Sequence, residues 1–551
     1  MKRIHHILLL ASVVCAGLLA SCCSASIPEK FAEGKAQPTI YPDYAGVTVP
    51  CNIAPLNFAI ENEADDYVTR IKSGNEEWVI GGQSVQIDPS DWQTMKQTSD
   101  KISVEVFTCS KDQWTRHKSF DIMVSKDSID PYISYRLISP SYVTYENLTI
   151  NQRCLENFDE SLIYGNMINT NEEDGRCINC HNYQNYDPHR KQFHVRCKID
   201  TLIVKDNGQV EHKTLAKGGT LINYDGKVEK IDMSAVYPTW HPKAPLIAYS
   251  TNHTGQTFHT FDTQKIEVQD TYSDLILYDL EKHEIQPLEC DTNDLDCFPF
   301  WDPAGEYLYY CSAHYEQQDS ASSKEMDLIQ HYEDVHYNLY RRSFDLATHN
   351  FGPRELVYDC GDTCSATLPR ISPDGRYLLF TLGKYGVFHI WHNSSDLYLM
   401  DLKARQTRCV TEVNSPDVES YHSWSSNGKW IIFSSRRYDG NFTRPFIAHL
   451  NDDGTFTRPF ELPQEDPRYH QMFLRSYNIP EFMTGPVTIK PQDWAAYDTG
   501  DTIKAKMSPN APKSADVTTS ASQQTKKAEK TDTTSAPAKQ ADGTTGATQK
   551  Q

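Results

Sequence analysis

The stretch Tyr237-Pro-Thr-Trp-His-Pro-Lys-Ala-Pro-Leu-Ile-Ala-Tyr-Ser250 returns three times further along the chain. Its later copies are Phe298-Pro-Phe-Trp-Asp-Pro-Ala-Gly-Glu-Tyr-Leu-Tyr-Tyr-Cys311, Leu368-Pro-Arg-Ile-Ser-Pro-Asp-Gly-Arg-Tyr-Leu-Leu-Phe-Thr381 and Tyr421-His-Ser-Trp-Ser-Ser-Asn-Gly-Lys-Trp-Ile-Ile-Phe-Ser434. In each, an extended approach ends on one large anchor: Trp240, Trp301, Ile371 or Trp424. A tight turn follows, with a glycine that tolerates positive φ at Gly375 and Gly428. An apolar run such as Tyr377-Leu-Leu-Phe380 then reads as a buried strand. Further strand-like runs come after the copies: Asp274–Leu280, Asn338–Phe344, Asp396–Leu402 and Phe446–Leu450. The anchors lie about 50 to 70 residues apart, more than one propeller blade needs. Polar insertions such as residues 314–335 account for the excess and belong on loops at one face. The repeat predicts four-stranded blades around a central axis.

These residues resemble the TolB-type propeller repeat, with its strand ending in Ser-Pro-Asp-Gly before a second buried strand. The resemblance covers roughly residues 230–465. Four blades rarely close a ring, so one or two degenerate blades are expected. Residues 193–233 and the run from Met472 to Lys490 are the candidates. The propeller is therefore expected over 201–490. Upstream, Val47–Ile53, Glu76–Ile80 and the alternating Lys101–Thr108 read as short strands of a β-sandwich-like domain over 38–135. From Thr499 to Gln551 the chain lacks aromatic residues and is rich in Ser, Thr, Ala, Lys and Gln, which predicts a disordered tail. The fold class expected is all-β.

At the N-terminus, Lys2, Arg3, His5 and His6 precede an apolar run from Ile7 to Leu19, too short to span a bilayer and right for a signal peptide. It ends in Leu19-Ala-Ser-Cys22, which resembles a bacterial lipobox. The resemblance implies cleavage after residue 21, acylation of Cys22 and a tether over 22–37. Multiple acyl chains give stable membrane anchoring. The expected address is a lipoprotein of the bacterial envelope, in the outer membrane, facing periplasm or cell surface. A net charge of -21 argues against a nucleic-acid partner, which needs a basic footprint. Aromatics at 11% argue for a chain that is mostly folded.

Between sandwich and repeats, in a segment taken as 136–200, lies Cys177-Ile-Asn-Cys-His181, a C-x-x-C-H sequence. This spacing is the attachment signature of c-type haem: two thiols as thioethers and the adjacent imidazole as proximal iron ligand. Read so, Cys177 and Cys180 bind haem c and His181 ligates its iron. His194 is the first candidate for the distal ligand, with Met167 next, and Arg196 could meet a propionate. Zinc is the alternative, with Cys197, His189 and His194 able to complete a set. A disulfide or inert thiols is the third reading. Elsewhere, Cys290 with Cys297 and Cys360 with Cys364 are close enough in sequence for loop disulfides.

The order of lipobox, β domain, C-x-x-C-H and propeller resembles TolB-like propeller lipoproteins of Gram-negative bacteria with one haem motif, a group often labelled as cytochrome c biosynthesis-related. Tyr41–Tyr44, Asn52–Phe58, Asp130–Arg136 and Tyr477–Phe482 look like its framework segments. The resemblance implies a mono-haem protein in electron transfer or redox or ligand sensing, whose propeller binds an envelope protein or glycan. The alternative expectation is a non-catalytic envelope scaffold with Cys177, Cys180 and His181 in a zinc or disulfide site. No Gly-x-Ser-x-Gly, His-Glu-x-x-His or P-loop sequence is present, so no catalytic residue is assigned.

Overall fold

The computed structural model describes residues 25–139, 148–169, 176–204, 210–233, 235–258, 264, 266–288 and 291–511. The signal and lipobox residues up to Ser24, with Cys22, lie outside them, as does the tail beyond Ala511.

The N-terminal domain is built on the alternating Lys101–Ser110 strand, which pairs antiparallel with Asp66–Ser73, Gln113–Arg116 and Phe120–Ser125. A small sheet of Ile40–Tyr41, Phe58–Ile60 and Ser84–Val85 accompanies it. One element departs from the all-strand expectation for this domain. Asp88-Pro89, read in sequence as part of a turn, opens a helix over Pro89–Thr98. Asp88 caps it by accepting from the Ser90 N–H, and Pro89 occupies the first turn, where a missing N–H costs nothing. Only Trp92 and Met95 bury, too narrow a stripe to announce a helix by periodicity.

The rest is a six-bladed propeller among the described residues. Blade 1 uses Tyr132–Ile138, Thr149–Cys154 and Glu160–Gly165, closed by the late strand Ser476–Met483. Blade 2 runs Arg176–Tyr183, Arg190–Val204, Val210–Tyr224 and Lys227–Ile231. Blade 3 comprises Val236–Trp240, Leu246–Phe258, Ile266–Asp279 and Glu284–Pro287. Blade 4 has Asp294–Trp301, Tyr307–His314, Asn338–Asp345 and Glu355–Tyr358. Blades 5 and 6 span Ser365–Cys409 and Glu419–Glu461. The propeller therefore begins near residue 132 rather than 201. Residues 136–200, set apart in sequence as a C-x-x-C-H segment, supply most of blade 1 and the first half of blade 2. The two segments suspected of being degenerate blades complete these same two blades.

The inner strands share one distortion. Cys180, Tyr237, Phe298, Leu368, Tyr421 and Ile479 all have φ between 47° and 55°. At each the pairing register shifts, as between Val236 and Thr239 or Cys297 and Phe300. This is a β-bulge repeated once per blade. The insertions, residues 315–337 and 384–395 among them, join second to third strands and so share one face. The turns after the anchors occupy the opposite face.

The domains share a core. Ile71, Val104 and Ile122 belong to one apolar cluster with Trp430, Ile447 and Phe460 of blade 6 and Ile133 and Tyr477 of blade 1. Asp130 accepts from the Ser426 N–H at 2.7 Å across the same interface. At the far end, the expected disordered tail begins later than Thr499. Ile503 bridges Ile231 in parallel, and Lys506–Met507 adds to the Glu284–Pro287 edge, strapping blades 2 and 3. No described helix is long and apolar enough to cross a membrane.

Candidate site on the propeller axis

The C-x-x-C-H sequence lies on the inner strand of blade 2, in register with the repeat. Cys180-His-Asn-Tyr183 occupies the positions of Tyr237-Pro-Thr-Trp240, Phe298-Pro-Phe-Trp301, Leu368-Pro-Arg-Ile371, Tyr421-His-Ser-Trp424 and Ile479-Pro-Glu-Phe482. Cys180 takes the bulge position, His181 the usual proline and Tyr183 the anchor. The repeat frame could have been extended to both outlying copies. Cysteine at the bulge of one hid it, and in the other no Pro-Asp-Gly turn follows.

Cys180 and His181 are buried and line a cavity of about 20 Å3 on the axis, room for about one water. Burial pushes the Cys180 thiol up to about 12, so it stays protonated. Burial, with Lys191 and Arg136 nearby, holds His181 neutral, well below its usual range. Neither ring nitrogen of His181 has a hydrogen bond. Cys177 is half-buried and packs instead on the apolar cluster of Ile178, Phe193 and Trp494. Its surroundings are thus distinct from those of Cys180.

These residues do not fit a c-type haem as they stand. One thiol faces the axial cavity while the other packs on an apolar cluster of blade 2. The space beside His181 matches a single small group, far below a porphyrin. Of the tentative ligands, His194 pairs by backbone with Asn179 and Thr220 on the second strand, and its side chain is outside the described residues. Met167 and His189 are exposed. The side chains of Cys197 and Arg196 are likewise outside the described set. No group of three or more His, Cys, Asp or Glu among the described residues is placed to hold a metal. The ten described cysteines are free thiols. Cys297 sits directly opposite Cys311 in blade 4, while Cys290 is outside the described residues.

Three charged residues at the axis escaped the sequence reading. Lys191, fully buried, pairs across from the anchor Tyr183, where the other blades place Ile133, Ile247, Leu308, Leu378 and Ile431 opposite theirs. Its Nζ donates to the Tyr183 hydroxyl at 2.5 Å and lies 4.3 Å from the ring centroid. Burial lowers its pKa to about 7, with Glu481 opposing. Glu481 accepts from Asn182 Nδ2 at 2.8 Å through Oε1, while Oε2 has no hydrogen bond and stands 3.6 Å from His181 Nε2. Burial raises Glu481 to about 7, against Arg370, Asn182 and Lys191. Arg370 lies over the Phe300 ring at 4.8 Å and donates to the Pro369 carbonyl.

The insertion end of the axis is closed. Phe388, from the insertion of blade 5, packs 5.9 Å from Tyr237 and 6.4 Å from Phe298 between ring centroids. What remains reachable is the turn end, where Arg370 and Glu481 sit.

No family model matches the chain, and no curated protein does. Solved structures of propeller-like fold resemble it distantly. A puromycin-hydrolyzing peptidase of Mycobacterium tuberculosis is 10% identical with a TM-score of 0.34, over 66% of this chain and 52% of that one. This chain thus spans about half the peptidase's length. An ACO/RPE65 chimera is 12% identical at TM-score 0.33, over 82% and 97% of the two chains. An oligogalacturonate lyase of Vibrio parahaemolyticus is 11% identical at TM-score 0.30, over 77% and 100%. Likeness at this level carries no activity across.

Proposed function

We propose that this chain is a non-catalytic binding propeller of the bacterial envelope, anchored by lipid on Cys22, in which Cys177, Cys180 and His181 are framework residues. What supports the reading is the equivalence of Cys180-His181 to the bulge-and-proline pair of the other blades. A sequence that meets a structural requirement recurring six times around a ring needs no haem to explain its place. The expectation of a mono-haem protein in electron transfer or sensing loses its geometric basis with the separate surroundings of the two thiols. The propeller then serves its partner, an envelope protein or glycan, through its end faces and insertions.

The test is maturation of the full chain alongside the cytochrome c attachment machinery. The expected result is no Soret band and no haem staining on a denaturing gel, with acyl label incorporated at Cys22. Covalent haem staining that disappears in a Cys177→Ala, Cys180→Ala double variant would overturn the proposal.

A further inference from the structure

The repeat gives each axial position a default, and the departures from it cluster. Lys191 replaces an aliphatic residue in blade 2. Two positions beyond the bulge, where blades 2, 3, 4 and 6 carry Asn182, Thr239, Phe300 and Ser423, blade 5 carries Arg370 and blade 1 carries Glu481. Ring closure does not require either charge. Both line the same cavity, with His181 between.

Their hydrogen-bonding capacity is left open. A guanidinium has five N–H donors. That of Arg370 uses one hydrogen bond, to the Pro369 carbonyl, and forms no ion pair among the described residues. Glu481 Oε2 is a buried acceptor with no hydrogen bond. An open donor and an open acceptor therefore face one small space. A guest anion would satisfy Arg370 but meet the Glu481 carboxylate, and a guest cation would meet the reverse. A hydroxyl accepts and donates at once and suits both. The half-buried Phe300 ring, which holds the guanidinium, adds an apolar wall of the kind that lies against the C–H face of a sugar.

We propose that the turn-face mouth of the axis is a subsite for a neutral saccharide. One hydroxyl enters the cavity, accepts from Arg370 and donates to Glu481 Oε2, and the sugar body rests against Phe300 outside. This deepens the binding-propeller reading and rests on it, naming a glycan as what this mouth takes. With the insertion end closed by Phe388, the sugar arrives from the turn face.

The test uses the full chain without its signal peptide, titrated calorimetrically with millimolar glucose, galactose, mannose and N-acetylglucosamine and their β-linked disaccharides. The expected result is saturable binding of at least one, weakened about tenfold or more by Arg370→Gln and by Glu481→Gln. Acetate and ethylammonium should not compete. Arg370→Lys keeps the charge without the planar fork, so it reads the same loss should Arg370→Gln fail to fold. Absence of saturable binding by every sugar overturns the proposal. So does binding unchanged in both variants, or competition by either ion, which would assign the mouth to a charged ligand. Haem staining is independent of these titrations, so failure here and failure of the binding-propeller reading are told apart.

Discussion

Blades 2 and 3 stand side by side on the same backbone plan and fill it with different chemistry. Blade 3 meets its bulge with Tyr237, follows with a proline, anchors with Trp240 and backs the anchor with Ile247. Blade 2 meets the same demands with Cys180, His181, Tyr183 and Lys191. Both inner strands turn at the same left-handed residue, so the geometry belongs to the ring rather than to the side chains. The lesson is that a motif known for its chemistry can be occupied by architecture. Conversely, a position known for architecture can be released for chemistry, as Lys191 was.

The comparison can be broken most forcefully at the anchors. Trp240 is buried and stacks on Tyr224 with centroids 5.8 Å apart. Trp240→Ala should cost about 3–5 kcal/mol, read by chemical denaturation. Tyr183→Ala should cost less, because its ring is smaller and it also frees a buried lysine; an equal or larger loss would deny that blade 2 is the weaker copy.

Lys191→Ile gives blade 2 the aliphatic backing of its neighbours. In the folded protein Lys191 binds its proton only below about pH 7, against 10.5 unfolded. The unfolded chain therefore holds the extra proton between these values, and this group's cost is full below pH 7 and relieved as pH rises towards 10.5. The variant should be more stable than the parent at neutral pH, with a flatter rise of stability between pH 7 and 10.5 in denaturant titrations. Glu481 acts oppositely: its pKa rises from 4.5 to about 7, so its contribution falls as pH climbs through that window. Glu481→Gln should remove this fall, seen as a smaller difference in midpoint between pH 5 and 7.

A gentler change sharpens the equivalence. His181→Pro installs the residue that follows the bulge in blades 1, 3, 4 and 5, and should change stability by about 1 kcal/mol or less. Unfolding by this substitution would break the alignment of blade 2 with the rest. The smallest effect is on thiol reactivity, with no change in fold. In the native protein Cys180 should resist alkylation while Cys177 reacts faster, as mass spectrometry of timed iodoacetamide quenches would measure.

Much of this was legible in the chain. Four copies share an anchor, a turn and an apolar run, and each became an inner strand with its neighbour. The blade number was not legible, because the remaining inner strands replace the spelled-out repeat with Cys180-His181 and with a segment lying some 300 residues from its partners. Pairing across such a distance leaves no periodicity to read. The helix at Pro89–Thr98 hid behind a cap that also reads as a turn. At the axis, Arg370 sat in plain view within a quoted repeat, yet nothing local marks it. Its interest arises only when six strands bring it opposite Glu481.

Blade 1 takes three strands from residues 132–165 and its fourth from Ser476–Met483. During synthesis, then, five blades can form while the first still shows a bare edge along Tyr132–Ile138. A chain released before Met483 holds an open arc with unpaired strand edges at both ends, a template for joining other copies. The quality of this protein in the cell is decided at its last folded strand, and a nonsense mutation late in the gene should be as damaging as an early one.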